Sequence, residues 1–330
     1  MKAAIFSFVK VSENSMVASV RIARHISETF GMPIHVDDHI ADKPLDLLVV
    51  VNGAYAFSKH LEPFARAVKE AKRVVWVQND YTIIPPKIES QGVSPFRAAF
   101  RERHEAGKPH MDFWTTCEDW QRFTPHSRYV NWNALTFDET AEAKKLTKRR
   151  KHSGNSLFYY GSFRGGGGKS SRQVYFDRYF LAPEVETIIS SPAKQFRERY
   201  TSNNVSHVDA IKSNFYETLA KHGMGLYIED RMSHERFHSP ANRFYEMLSA
   251  GLPMVFQPEC GTMLRRAGFD PTPYTARNSR EVARLMEQRE DIRTQQWNDW
   301  VYKRGSVNQF RDQLNSSMVD AFSVQQELLR

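Results

Sequence analysis

Between Leu45 and Val51 only Asp46 is polar. A run this short and this apolar, rich in valine, has no solvent face at the two-residue period of a strand. It needs cover on both sides, as a strand does in a parallel sheet with helices packed above and below. The flanking segments supply that cover. Lys2 to Phe8 reads as a buried strand. Asn14 or Ser15 then caps a helix whose Val17, Val20, Ala23, Ile26 and Phe30 share one face, closed by Gly31. Pro33 to Val36 is a further strand. Ser58 to Lys72 is a helix with Leu61, Phe64, Ala65 and Val68 inward, and Val74 to Val77 is the strand that leads to Gln78-Asn79-Asp80. This alternation predicts a doubly wound α/β unit.

A long loop follows from Tyr81 to Pro95, with Pro85-Pro86, Gly92 and Pro95, and then short strands at Met111–Thr116 and Arg128–Trp132. The basic run from Lys144 to His152 reads as a linker. Beyond it the alternation restarts. Strands are expected at Leu157–Gly161, Val185–Ile189, Met224–Ile228 and Pro253–Gln257. Helices are expected at Ser170–Phe180, Ala193–Tyr200, Ile211–His222, Pro240–Ala250 and Asn278–Gln288, with a helical tail from about Ser306. Ser239 as cap, Pro240 at the first position and Gly251 after the last turn delimit one of them. A chain of 330 residues fits two domains at roughly 150 residues each. The expected division is 1–150, 151–304, and a terminal helix 305–330 that packs back on the first domain.

Composition excludes several classes. No apolar run approaches the roughly 20 residues that span a bilayer. The opening Met1 to Val9 is interrupted by Lys10 and Glu13 without a small-residue cleavage site, so a first strand is expected rather than a leader. Two cysteines, Cys117 and Cys260, give no disulfide framework and suit a reducing cytoplasm. The histidine pairs His104/His110 and His234/His238 lack the companions of a metal site. A net charge of +8 favours a polyanionic partner, nucleic acid first among them.

The chemistry concentrates at Leu157-Phe158-Tyr159-Tyr160-Gly161-Ser162-Phe163-Arg164, which runs into Gly165 to Gly168 and Lys169-Ser170-Ser171. A strand, a glycine turn and a helix start present unpaired backbone N–H groups, and Arg164 and Lys169 add full charges, so the stretch suits phosphate. It is not a P-loop: the glycine required five positions before the Gly168-Lys169 pair is Phe163.

Two Rossmann-like halves without a Gly-x-Gly-x-x-Gly fingerprint resemble GT-B glycosyltransferases, in which such domains face one another across a cleft. Within that class Tyr160-Gly161-Ser162-Phe163-Arg164, the cation at Lys169 and Arg243-Phe244-Tyr245-Glu246 resemble the DNA β-glucosyltransferases of T-even bacteriophages. The resemblance implies a donor site in which Gly161, Ser162, Arg164, Lys169 and Arg243 hold the diphosphate of a UDP-sugar, UDP-glucose above all, and Glu246 holds the ribose hydroxyls. It also places a catalytic aspartate at Asp80. Read from the residues alone, Arg243 and Glu246 could equally be an ion pair within one helical turn, and Asp80 could equally close a loop.

The position of Asp80, just past the end of a strand, is where open α/β sheets bind ligands. A retaining enzyme of one large GT-B group has a second glutamate eight positions before Glu246; here that residue is His238, which favours inversion. Asp80 would then take the proton of the acceptor hydroxyl. The implied acceptor is a hydroxymethylated pyrimidine in double-stranded phage DNA, flipped from the duplex. Arg97, Arg101, Arg103, Lys148 and Arg149 would contact its phosphates and Glu13 the base or sugar. A divalent cation, Mg or Mn, at the leaving group is left open. The expected setting is a monomer in the host cytoplasm, off the membrane. Two alternatives share the sequence signals: a GT-B enzyme acting on a surface glycan, protein or small molecule, and a nucleotide-regulated DNA-binding protein without catalysis.

Overall fold

The structure is a computed structural model that describes residues 2–7, 18–35, 45–51, 61–78, 103, 106, 112–115, 127–129, 141, 143–145, 154–164, 171–211, 215–236 and 240–302. By compactness the chain divides into a first unit holding Met1–Trp132 and a second, Asn133–Gln309.

The first unit is built on a parallel sheet of β1 (Ala3–Ser7), β2 (Ile34–His35), β3 (Leu47–Val51), β4 (Arg73–Gln78), β5 (Asp112–Thr115) and β6 (Ser127–Tyr129). The strand order is β2-β1-β3-β4-β5-β6. Every residue of β3 is buried, as its unbroken apolar run requires. The helix Ala18–Phe30 covers the sheet with Val20, Ile22, Ala23 and Ile26 and ends at Gly31, whose φ of 64° is the left-handed value that glycine adopts without strain. A second helix, Leu61–Glu70, precedes β4.

Arg103 departs from its expected role at the DNA surface. It is 2% exposed, and its guanidinium donates to the carbonyls of Val68 at 2.9 Å, Ala71 at 2.5 Å and Lys72 at 2.8 Å. Those carbonyls are orphaned where the Leu61–Glu70 helix ends, and a five-donor fork satisfies three of them at once. Burial lowers its pKa to about 10, which leaves it cationic at neutral pH.

The second unit is a parallel sheet of β7 (Leu157–Tyr160), β8 (Thr187–Ser190), β9 (Val205–Val208), β10 (Met224–Tyr227) and β11 (Met254–Phe256), in the order β11-β10-β7-β8-β9. Read from β9, this is the 3-2-1-4-5 order of nucleotide-binding sheets. One face of β7 meets the helix Gln173–Phe180 and the helix Lys194–Arg199 through rings: Tyr159–Phe176 at 5.1 Å, Phe163–Phe196 at 4.9 Å and Phe176–Phe196 at 5.1 Å. These aromatics hold the turn after β7 in place, because each ring buries a large area in a fixed orientation.

Several elements differ from expectation. The helix expected from Pro240 spans Asn242–Ser249, with Ala241 at the N-cap, extended at φ −66° and ψ 161°, and no side-chain cap. Pro240 therefore stands before the cap rather than inside the helix. Gly251 does close it. With φ 63°, it brings the Leu252 N–H to Met247 O at 2.9 Å and its own N–H to Leu248 O at 3.0 Å. Strand β9 and the helices Arg231–Arg236, Gly261–Arg266 and Arg289–Gln296 are additional. Among the described residues no helix is long and apolar enough to cross a membrane. The expected tail from Ser306 lies outside the described residues.

His222 is stacked on Phe158, centroids 4.0 Å apart, with Nδ1 3.0 Å from Ser156 Oγ. Burial, aided by Lys221, lowers its pKa to about 4. The unfolded chain binds this proton near pH 6.5 and the folded chain only near 4, so stability falls as pH drops through that window. A series of melting temperatures from pH 7 to 4 should show this loss, and His222→Phe should flatten it.

Candidate functional site

In the second unit, chain order reverses between β7 and its neighbour β10, paired at Met224 with Leu157. Ligands in open α/β sheets bind at such a switch point, beyond the carboxyl ends of the strands. Two turns meet there. After β7 come Gly161, Ser162, Phe163 and Arg164; after β10 come Ile228, Glu229 and Asp230.

Arg243, in the first turn of the helix Asn242–Ser249, joins both turns from below. Its Nη2 donates to Ile228 O at 2.8 Å and to the Glu229 carboxylate. Its Nη1 lies 3.4 Å from Tyr160 O and 3.4 Å from the Tyr159 hydroxyl. The guanidinium carbon sits 5.5 Å from the centre of the Tyr227 ring and 5.8 Å from that of Tyr159. One planar cation thus bonds to the last carbonyl of β7 and to the first carbonyl beyond β10, with the rigid fork that distinguishes arginine from lysine.

Gly161 makes this approach possible. A Cβ built there would stand 2.6 Å from Arg243 Nη1, and the φ of 141° already disfavours any other residue. Gly161→Ala should therefore cost about 1–3 kcal/mol, read as a fall in the urea midpoint with the slope unchanged.

Glu229 is buried between two guanidiniums, accepting from Arg172 as well as Arg243. Burial alone would raise its pKa. Arg172 and Arg243 reverse that and hold it at about 2. Beside it, the Asp230 carboxylate accepts from Arg164 Nη1 at 3.0 Å and lies 3.7 Å from Arg172 Nη2. Three arginines and two acids are therefore gathered within a few ångströms. Among the described residues, the Nε–H groups of Arg172 and Arg243 are buried without a hydrogen-bond partner.

Glu246 lies one turn beyond Arg243 and is also buried; its Oε2 is 2.6 Å from the Tyr160 hydroxyl. Burial first, then the neighbouring Glu246, raises the Tyr160 pKa, so the phenol stays a proton donor. Arg243 and Glu246 thus lie one turn apart, as their spacing predicts, and each is tied to a strand end, Arg243 to Ile228 O and Glu229 and Glu246 to the Tyr160 hydroxyl.

Of the predicted donor residues, Gly161, Ser162, Arg164, Arg243 and Glu246 come together here, with Ser162 and Arg164 exposed. Lys169, Asp80, Glu13, Arg97, Arg101, Lys148 and Arg149 lie outside the described residues. The sequence reading passed over Arg172, Glu229 and Asp230. The last two follow β10 directly, and the rule that singled out Asp80 after β4 would have found them.

No family model and no curated protein sequence matches the chain. Solved structures do. A crystal structure of T4 phage BGT in complex with its UDP-glucose substrate is similar over 96% of this chain and 99% of that one, with a TM-score of 0.60 and 14% identity. An alpha-glucosyltransferase in complex with UDP-glucose and DNA containing an abasic site is similar over 95% and 93%, with a TM-score of 0.56 and 12% identity. The fold is GT-B. The expected remote resemblance to phage glucosyltransferases therefore holds for the fold. Within the GT-B fold, the arginine cluster belongs to the second of the two Rossmann-like units.

Proposed function

We propose that this chain is a GT-B glycosyltransferase that moves a sugar from a UDP-sugar, UDP-glucose first, to the hydroxymethyl group of a modified pyrimidine in phage DNA. The product would be resistant to nucleases. The observation that carries this reading is the convergence of Arg164, Arg172 and Arg243 on the switch point of a Rossmann-like unit. Negative charge grows on the diphosphate as the sugar departs, and prearranged cations stabilise that charge where it develops. Arg164 is the exposed member and suits direct contact. Arg172 and Arg243 are buried and hold the surrounding turns. Glu246, fixed by Tyr160, suits the ribose hydroxyls. Lys169 would add a second cation to the same turn, and a divalent cation would supplement these charges rather than replace them.

The acceptor reading draws on the net charge of +8 and on the likeness to structures solved with DNA. Asp80 in the first unit would accept the proton of the attacking hydroxyl and so invert the anomeric carbon. Arg97, Arg101, Lys148 and Arg149 would hold phosphates and Glu13 the extruded nucleotide, the protein acting as a monomer in the host cytoplasm.

Incubation with UDP-glucose and a duplex containing hydroxymethylcytosine or hydroxymethyluracil should yield glucosylated nucleosides by mass spectrometry, with the β-anomer by NMR. Transfer to a glycan or small molecule, with none to any DNA, would replace the acceptor. Binding of UDP and DNA without turnover would leave only a regulated DNA-binding protein.

A further inference from the structure

We infer that Asp230 is a positioning residue that aims Arg164 at the diphosphate of the donor, an inference that rests on the donor-site reading above. Asp230 is fixed before any ligand arrives. Its side chain is 2% exposed, and its Oδ1 accepts the backbone N–H of Ser233 at 3.0 Å and the Ser233 hydroxyl at 3.1 Å, capping the helix Arg231–Arg236. That leaves Oδ2, which receives Arg164 Nη1 at 3.0 Å.

Arg164 is anchored the opposite way. Its side chain is 54% exposed, and among the described residues Asp230 is the one partner of its guanidinium. One nitrogen is thus pinned to a buried carboxylate, while the side chain as a whole stays more than half exposed. A guanidinium has five N–H donors in one plane, so holding one nitrogen narrows the directions open to the others.

The backbone agrees. Arg164 has φ 42°, in the left-handed region that non-glycine residues enter at a cost, and its carbonyl accepts the Arg172 N–H at 3.1 Å. A strained backbone, a hydrogen bond that closes the turn, and a buried anion at one nitrogen all serve to hold this arginine in one orientation. A surface cation needing only charge requires none of them. Most of the ordering entropy of Arg164 is spent before the phosphate arrives, so Asp230 raises donor affinity without touching the donor.

The test is a titration of the full chain with UDP, without acceptor, by calorimetry. Asp230→Asn keeps an oxygen for the Ser233 cap and removes the charge. It should weaken UDP about tenfold, the loss of one charge-assisted hydrogen bond, and lower the melting temperature less than Glu229→Gln does, because Arg172 lies 3.7 Å from Asp230 Oδ2 but keeps its hydrogen bond to Glu229. Arg164→Ala should weaken UDP by at least as much. Adding Asp230→Asn to Arg164→Ala should then cost nothing more. Asp230→Ser, which also caps a helix, replaces Asp230→Asn if the latter melts early. Multiplicative losses in the double variant, or unchanged UDP affinity in Asp230→Asn, overturn the inference while the donor site stands. A parent protein that does not bind UDP overturns the donor site, and the inference with it.

Discussion

Glu229→Gln should lower the stability of the protein by about 3–5 kcal/mol, the usual result of removing one partner from a buried ion cluster, and its melting temperature by about 10 °C. The cause is what remains. Arg172 and Arg243 are both nearly inaccessible to water, and each would face an amide instead of a carboxylate. Two buried cations would then lack the anion they share. The loss should depend on pH in a defined direction. Glu229 titrates at about 2 in the folded protein against 4.5 for the unperturbed group. A depressed carboxylate contributes stability that is fully present above the unfolded value and fades as pH falls toward the folded one. The gap between parent and Glu229→Gln should therefore be constant from neutral pH down to about 5 and narrow below about 4.5. Scanning calorimetry across pH 3–7 reads both effects. A variant that melts within about 2 °C of the parent would show that the turns are held by their aromatic packing instead.

The same cluster shows what a sequence of this kind displays and what it conceals. Strand β3 was legible because burial on both faces leaves nothing polar in its core-facing residues. The turn after β7 was legible because Arg164 and Lys169 flank glycines that alone would read equally as a flexible surface loop. Arg243 and Glu246 were found through the resemblance of Arg243-Phe244-Tyr245-Glu246 to phage glucosyltransferases, yet their partners were not. Arg243 meets Glu229 fourteen residues away and Glu246 meets Tyr160 eighty-six away, and no local pattern encodes those choices. Arg172 was hidden for the same reason: it reads as one more charge at a helix start, whereas it is buried against Glu229.

Arg103 is the converse case. Basic residues near a basic loop suggest a surface for phosphate, but three orphaned carbonyls at a helix end attract a guanidinium just as strongly. Charge alone does not distinguish the two uses. Strand β9 escaped notice because it alternates half-buried and exposed positions over only four residues, with Ser206 and His207 diluting the pattern. The additional helix Arg231–Arg236 carries five charged or polar side chains in six residues and starts on the side-chain cap of Asp230, a signal visible only once that cap is known.

The other large expected effect concerns Asp80. The sequence sets it two residues beyond β4, which lies beside β3 in the order β2-β1-β3-β4-β5-β6. If it is the base that takes the acceptor proton, Asp80→Ala should reduce kcat by about 10²–10⁴-fold, the contribution of a positioned general base. UDP and DNA binding should stay within about twofold of the parent. The pH profile supplies the sharper criterion. A carboxylate base must be ionised to act, so kcat/KM for the parent should fall on the acid side with a single proton, and the residual activity of Asp80→Ala should lack that limb. A structural aspartate that closes the loop after β4 would instead lower stability and affinity together and leave the shape of the profile intact. Slow hydrolysis of the UDP-sugar without DNA discriminates further, because it reports loss of UDP from the bound donor in the absence of the DNA hydroxyl. Retention of that hydrolysis in Asp80→Ala alongside lost transfer to DNA would assign the residue to the acceptor, whereas equal transfer by both proteins would remove it from the chemistry altogether.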